Sequence, residues 1–167
     1  PDGNPTTGIE HIYTTLTNHG IDDSAKISQW PQDRYLNIWV VKDLGGSAAA
    51  VSFYPYYAQF YPQLDGIVCQ YNYLGYTGAA SSISRHAMSH EVGHFFNLLH
   101  TFDNQINGGP CGDDDVSDTP VTQSSGCNLT LSGCNPPIVE NVQNFMTGSY
   151  CFVMFTEGQN TRMQTCL

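Results

Sequence analysis

Hydrophobic residues along this chain gather into short runs separated by turn-forming residues, and the first four runs read as strands. Ile9 to Leu16 is rich in Ile, Tyr and Thr, and it follows turn chemistry at residues 1–8. Tyr35-Leu36-Asn37-Ile38-Trp39-Val40-Val41 is the clearest strand. Its almost unbroken apolar character predicts a sheet interior covered on both faces, and Gly45-Gly46 ends it. Ala48 to Tyr54 is a third β-prone run, stopped by Pro55, and Gly66 to Tyr71 is a fourth. Residues 18–33 are irregular, with Pro31 blocking any helix.

The pattern then changes. After a Gly- and Ser-containing loop at residues 75–82, the stretch from about Arg85 to Asn97 predicts a helix with Ser84 as its N-cap. One face of it carries Ala87, Met88, Val92, Phe95 and Phe96, which predicts packing on the sheet. From Thr101 to Asn144 the chain is mostly loop, and a short helix is expected from near Thr156 to the end. No internal repeat or linker divides the 167 residues, so one domain with a real core is expected.

Charge narrows the partners. Fifteen acidic residues against five basic ones give a formal charge of −10. Such a surface argues against nucleic acid and anionic membranes and is compatible with divalent cations. No apolar run approaches the ~18 residues of a membrane span. No signal peptide is visible, which predicts a mature or trimmed form. Of the six cysteines, Cys111, Cys127, Cys134 and Cys151 crowd a loop rich in Gly, Asp, Ser, Asn and Pro. A loop of that kind buries little apolar surface, and cross-links would compensate. With no C-x-x-C pair, disulfides are favoured over thiolate metal ligation; the sequence leaves three pairings of these four open.

The candidate chemistry lies in His90-Glu91-Val92-Gly93-His94-Phe95-Phe96-Asn97-Leu98-Leu99-His100. On a helix His90 and His94 project from one face a turn apart and can share a metal ion. Glu91 sits at the edge of that face, where it can reach a metal-bound water without ligating the metal. His100 is too far along to join them on a continuing helix. The chain must break, and Asn97 is the expected site, since Asn is the commonest non-glycine residue at positive φ. Three imidazoles leave a zinc position open for water, with Glu91 as general base. His86 lies one turn before His90; a fourth ligand would close that position, so it reads as a neighbour of the site. His11 and His19 carry no spacing signal.

Several further segments carry a family resemblance. Cys111-Gly112-Asp113-Asp114-Asp115-Val116-Ser117-Asp118-Thr119-Pro120 resembles a motif of the pappalysin (cytophagalysin/ulilysin-like) family of metzincin zinc metallopeptidases. Asn144-Phe145-Met146 resembles its Met-turn, Met154 to Gln159 with Arg162-Met163 its closing helix, and Tyr35 to Val40 its central strand. The resemblance implies an α/β (α+β) metzincin-like domain. It would have a twisted mixed sheet, an active-site helix in an upper part of about 1–97, and a loop-rich lower part of about 98–167 holding the Met-turn.

It further implies a secreted zinc endopeptidase acting on protein or peptide substrates, with His90, His94 and His100 holding Zn2+ over Met146. Structural Ca2+ near Asp113, Asp114, Asp115, Asp118 and Thr119 is implied as well, as are disulfides Cys111–Cys134 and Cys127–Cys151. Cys69 and Cys166 receive no role, and oligomeric state is left open.

The chain departs from the family at two places. Gly148 stands where the family has a tyrosine that bonds the tetrahedral intermediate, so Tyr150 is the candidate substitute. The loop before Cys151 is short and has no acid, which predicts no strong preference for a basic residue after the scissile bond. At the amino end, the resemblance implies a helix and a first strand before Pro1, so either a trimmed chain or a place for those pieces on another segment is expected. Ala48–Tyr54 is the expected cleft edge, able to pair with an extended substrate. The rival readings are a non-catalytic extracellular zinc- and calcium-binding module, for which Glu91 would have no use, and a zinc amidase.

Overall fold

The computed structural model describes residues 8–18, 23–76, 78–81, 84–123 and 126–166. Its centre is a mixed three-stranded sheet of β1 (Ile38–Val41), β2 (Ala50–Ser52) and β3 (Ile67–Gln70), in the order β1-β3-β2. β1 runs parallel to β3, with Trp39 beside Val68, and β2 runs antiparallel to it, with Val51 also beside Val68. Trp39, Val41, Val68 and Val51 therefore share one face, where Ala25 and Leu44 complete a buried cluster. On the other face helix α2 (Ala87–Phe95) packs on β2 and β3 and seals Ile67 and Cys69.

Two expectations need correction here. β1 is covered on one face only: Trp39 and Val41 are buried, while Ile38 and Val40 are 45% and 52% exposed. The helix that seals the neighbouring strands packs on β2 and β3, and β1 is an edge strand among the described residues. Residues 9–16 form no strand. Their composition is β-prone, but among the described residues no named strand pairs with them; just beyond, Thr17 accepts from the Lys42 amide and Asn18 bridges Asp43. Residues 1–7 lie outside the described residues.

Pro55 ends the third apolar run by opening helix α1 (Pro55–Phe60), where its missing N–H costs nothing. The lower part holds a two-residue ladder of β4 (Cys111–Gly112) and β5 (Thr122–Gln123), then long turns, then helix α3 (Glu157–Gln164). Cys111 is bonded to Cys134 and Cys127 to Cys151, while Cys69 (buried) and Cys166 (exposed) are free thiols. Thr156 caps α3: its hydroxyl accepts from the Gln159 amide at 3.1 Å, and the Gln159 side chain accepts from the Thr156 amide at 3.1 Å.

Candidate active site

The helix that carries the histidines begins differently from the sequence expectation. Ser84 does not cap it; Ser84–His86 forms a 3-10 turn in which Ser81 and Ser84 exchange amide-to-hydroxyl bonds, and α2 follows from Ala87. Its end is better defined. Asn97 adopts φ 68°. Its amide donates to His94 O at 2.9 Å and the Leu98 amide to Gly93 O at 2.9 Å, the paired bonds of a Schellman turn. Leu98 is then buried, and the chain doubles back so that His100 returns to the helix face.

There the three imidazoles converge. His94 Nε2 lies 3.1 Å from both His90 Nε2 and His100 Nε2, and the last two are 3.2 Å apart. The other nitrogen of each ring faces an acceptor: His90 Nδ1 faces Phe145 O at 2.6 Å, His94 Nδ1 faces Leu98 O at 2.8 Å, and His100 Nδ1 faces Asp103 Oδ1 at 3.0 Å. These acceptors place the proton on Nδ1 and leave all three Nε2 lone pairs directed at one point. Burial pushes His94 down to about 4 and lowers His90, which keeps both rings neutral. Zinc–nitrogen bonds of about 2.0–2.1 Å in a tetrahedron span an N···N edge of roughly 3.3 Å. The donor set thus fits a zinc ion in both spacing and protonation. Among the described residues it is the only group of three or more His, Cys, Asp or Glu side chains so gathered.

Met146 is fully buried, with its thioether against the helix that carries His90 and His94. A Cβ at Gly93 would collide with Met146 Sδ, so the glycine between Glu91 and His94 admits the thioether against the helix. The Met146 amide donates to Asn144 Oδ1 at 2.9 Å, and Met146 O accepts from the Thr101 amide. Asn144 in turn donates to Gln159 Oε1 at 2.8 Å, and Gln159 Nε2 donates to Asp114 Oδ2 at 3.0 Å. A buried polar chain therefore runs from the acidic loop through α3 to Met146. Glu91 is 8% exposed; burial pushes its carboxyl up to about 7 against the opposing hydrogen bond of the Ser52 backbone. Tyr54 stands edge-on to His94 with ring centroids 5.3 Å apart, and burial, with Asp103 and Glu91 nearby, raises its phenol to about 12.

Other candidates are not gathered there. Tyr150 is 59% exposed and lies beside Gly126. The acidic carboxylates diverge: Asp113 accepts from the Asp115 amide, Asp114 from Gln159 and the Val116 amide, Asp115 from Asn104, and Asp118 from the Gly158 amide. Thr119 Oγ1 is buried without a partner among the described residues. Sequence reasoning missed Asp103, whose signal was only its i+3 spacing from His100, and the burial of Gln159, of which the T-x-x-Q capping pattern was a partial sign.

Residues 19–167 match the Peptidase M43 family model, described as pregnancy-associated plasma protein-A. The chain belongs to this family. An extracellular metalloprotease of Neurospora crassa is 33% identical over 171 residues, covering 90% of this chain and 56% of the relative. Extracellular metalloprotease 1 of Coccidioides posadasii is 37% identical over 139 residues, covering 78% and 48%. Mirolysin in complex with compound 9 superposes with a TM-score of 0.83 at 32% identity, covering 98% of this chain and 66% of that one. The mature mirolysin of Tannerella forsythia with a cleaved peptide gives 0.73 at 33% identity, covering 85% and 57%. The mixed sheet, histidine helix and loop-rich lower part of this M43 chain are thus the mirolysin fold. The chain spans about half the length of the curated relatives it matches.

Proposed function

We propose that this M43 chain is the catalytic part of a secreted zinc endopeptidase. The observation that carries the reading is the convergence of His90, His94 and His100 with every Nδ1 committed to an acceptor. Zinc held there supplies a Lewis acid beside the scissile carbonyl and lowers the pKa of a coordinated water. Glu91, one residue past His90, takes the proton of the attacking water and passes it to the leaving amine. Asp103, Phe145 O and Leu98 O hold the rings still. Met146 fills the space beneath them. We assign Tyr150 no part in the reaction.

β2 pairs with β3 alone among the described residues, so its other edge, where the Ser52 backbone amide already meets Glu91, is the one an extended peptide would join. Protein and peptide substrates fit that edge, and a formal charge of −10 argues against nucleic acid as a partner. Among the described residues no helix is long and apolar enough to cross a membrane. Secretion is supported by the extracellular naming of the fungal relatives and by the two disulfides, which persist in oxidising compartments.

Calcium rests on the resemblance and on the crowding of acidic residues at 113–118. Thr119 Oγ1 is an oxygen that a hard cation could take, and Asp113, Asp114, Asp115 and Asp118 each accept hydrogen bonds within the protein. We assign calcium no step, and an unchanged melting temperature between calcium and a calcium chelator would remove it.

The test of the main reading is wild type beside Glu91→Ala on casein, with and without a zinc chelator. Activity is expected only in metal-loaded wild type; equal activity in the two proteins overturns the mechanism. Profiling against non-peptide amides separates an amidase.

A further inference from the structure

A cavity of about 310 Å3 opens directly beside the site, with His90 and Glu91 on one wall. That volume is at the low end of small-ligand pockets, roughly 300–1,000 Å3, and suits one inserted side chain better than a whole ligand. Its remaining lining is mostly apolar: Ala49 and Ala50 from the strand side, Ala87 from the first turn of α2, Tyr73, and Phe152 from beyond the Met-turn. The far wall carries His86, and this imidazole is fixed. It packs against both Phe145 and Phe152, with ring centroids 5.7 and 5.2 Å away. Arg85 Nε–H donates to its Nε2 at 3.0 Å, so that nitrogen carries no proton and the ring stands neutral beside a guanidinium. Arg85 is itself held over the Tyr76 ring at 4.3 Å.

We propose that this cavity receives an uncharged, large apolar or aromatic side chain from the substrate residue flanking the scissile bond, and that it rejects lysine and arginine there. The inference rests on the endopeptidase reading above. Position supports it: a side chain on the residue next to a carbonyl held between Glu91 and the histidines enters a cavity that those same residues border. The lining supports the chemistry, because it offers alanine methyls and aromatic faces and buries apolar area at about 25 cal/mol per Å2. Exclusion of basic residues follows from charge. Among the described residues the only acid on the lining is Glu91, which is assigned to proton transfer, and the cation adjoining the wall is Arg85. A lysine or arginine would lose its hydration against Arg85 and gain no counter-ion.

The test is a peptide-library cleavage profile of the purified, zinc-loaded protein beside three variants. Wild type is expected to favour Leu, Met or Phe at one position flanking the cut, with Arg and Lys slower by at least about tenfold in kcat/KM, the scale of hydrophobic-pocket discrimination. Phe152→Asp puts a carboxylate on the wall and is expected to shift the ratio toward Arg and Lys by about tenfold or more. Ala49→Leu fills the cavity and is expected to shift preference toward Ala and Gly; it decides the matter if Phe152→Asp fails to fold by circular dichroism. A wild-type profile that is flat or basic at both flanking positions overturns the assignment, as does an unmoved profile in the folded variants. Absence of cleavage by wild type and Glu91→Ala alike is the separate result in which the endopeptidase reading fails and takes this inference with it.

Discussion

The Asp103 carboxylate grips His100 at two points, accepting from the backbone amide at 2.9 Å through Oδ2 and facing the ring Nδ1 at 3.0 Å through Oδ1. One side chain thus sets both where the third imidazole sits and which of its nitrogens is free. The ring also stacks on Phe102 with planes 7° apart, so its orientation is set from two directions. His90 and His94 need no such device, because α2 fixes their backbone and main-chain carbonyls take their Nδ1 protons. Asp103→Ala is expected to weaken zinc binding by about 10–100-fold, the usual effect of removing a partner of a metal-ligating histidine. Competition with a chromophoric chelator measures it without reference to activity. Wild-type zinc affinity in that variant would leave the carboxylate merely structural.

Asn97 carries the other half of His100's placement. Its φ of 68° is open to glycine and tolerated by Asn, but costs a β-branched residue roughly 1–2 kcal/mol. Asn97→Gly is expected to keep stability within about 0.5 kcal/mol of wild type and to leave zinc affinity unchanged. Asn97→Val is expected to lose at least that 1–2 kcal/mol and to bind zinc more weakly, because the turn that returns His100 opens. Urea unfolding with zinc titration on the same samples separates the two losses. Equal zinc affinity in the two variants would show that another contact returns the third histidine.

These two residues mark where the sequence was legible and where it was not. The histidines, Glu91 and the turn at Asn97 fall within eleven consecutive residues, so helical periodicity and the sterics of one positive φ were enough to place them. The short helix after Thr156 was readable for the same local reason. Asp103 was not, because an i+3 carboxylate after a histidine acquires meaning only from the loop shape that turns it back. β1 was misjudged because Ile38 and Val40 are apolar whether or not anything covers them, and coverage depends on how far across the sheet α2 lies. Residues 9–16 have strand composition without a strand neighbour, a fact that belongs to the fold. Pro55 was read as a stop, although proline also starts helices, and Tyr56 to Phe60 chose the latter.

Gln159 is fully buried and satisfies three others at once: Asn144, Asp114 and the Thr156 amide. Gln159→Ala would strand buried polar groups in the layer that supports Met146, and a cost of about 2–5 kcal/mol is expected. The deficit carries a pH signature. Burial raises the Asp114 carboxyl and the bond from Gln159 lowers it, so its folded-state pKa climbs further in the variant. A native state that binds the proton more tightly than the unfolded chain loses stability as pH rises through that pKa. The deficit is therefore expected to widen with rising pH. Urea unfolding of both proteins at several pH values checks this, and a pH-independent deficit would mean that Asp114 is not the group left exposed to the loss.

Asp118 provides the opposite sign. Its Oδ2 accepts from the Gly158 amide at 2.9 Å in the first turn of α3, and that bond, followed by one from Thr156, lowers its pKa. A carboxylate there also meets the positive end of the helix, an interaction worth about 0.3–1 kcal/mol when exposed. Because the folded-state value is depressed, this stabilisation is fully present above the unfolded-state value of about 3.9 and is lost as pH falls through the folded-state value. Asp118→Ala is expected to be less stable than wild type at pH 7 by an amount in that range, and the gap is expected to close in strong acid. Salt should narrow it as well, since the group is exposed and screened. Thermal unfolding from pH 7 down to pH 2 measures the gap; one that stays constant on acidification would show that Asp118 acts through packing against Val116 and Gly158, not through its charge.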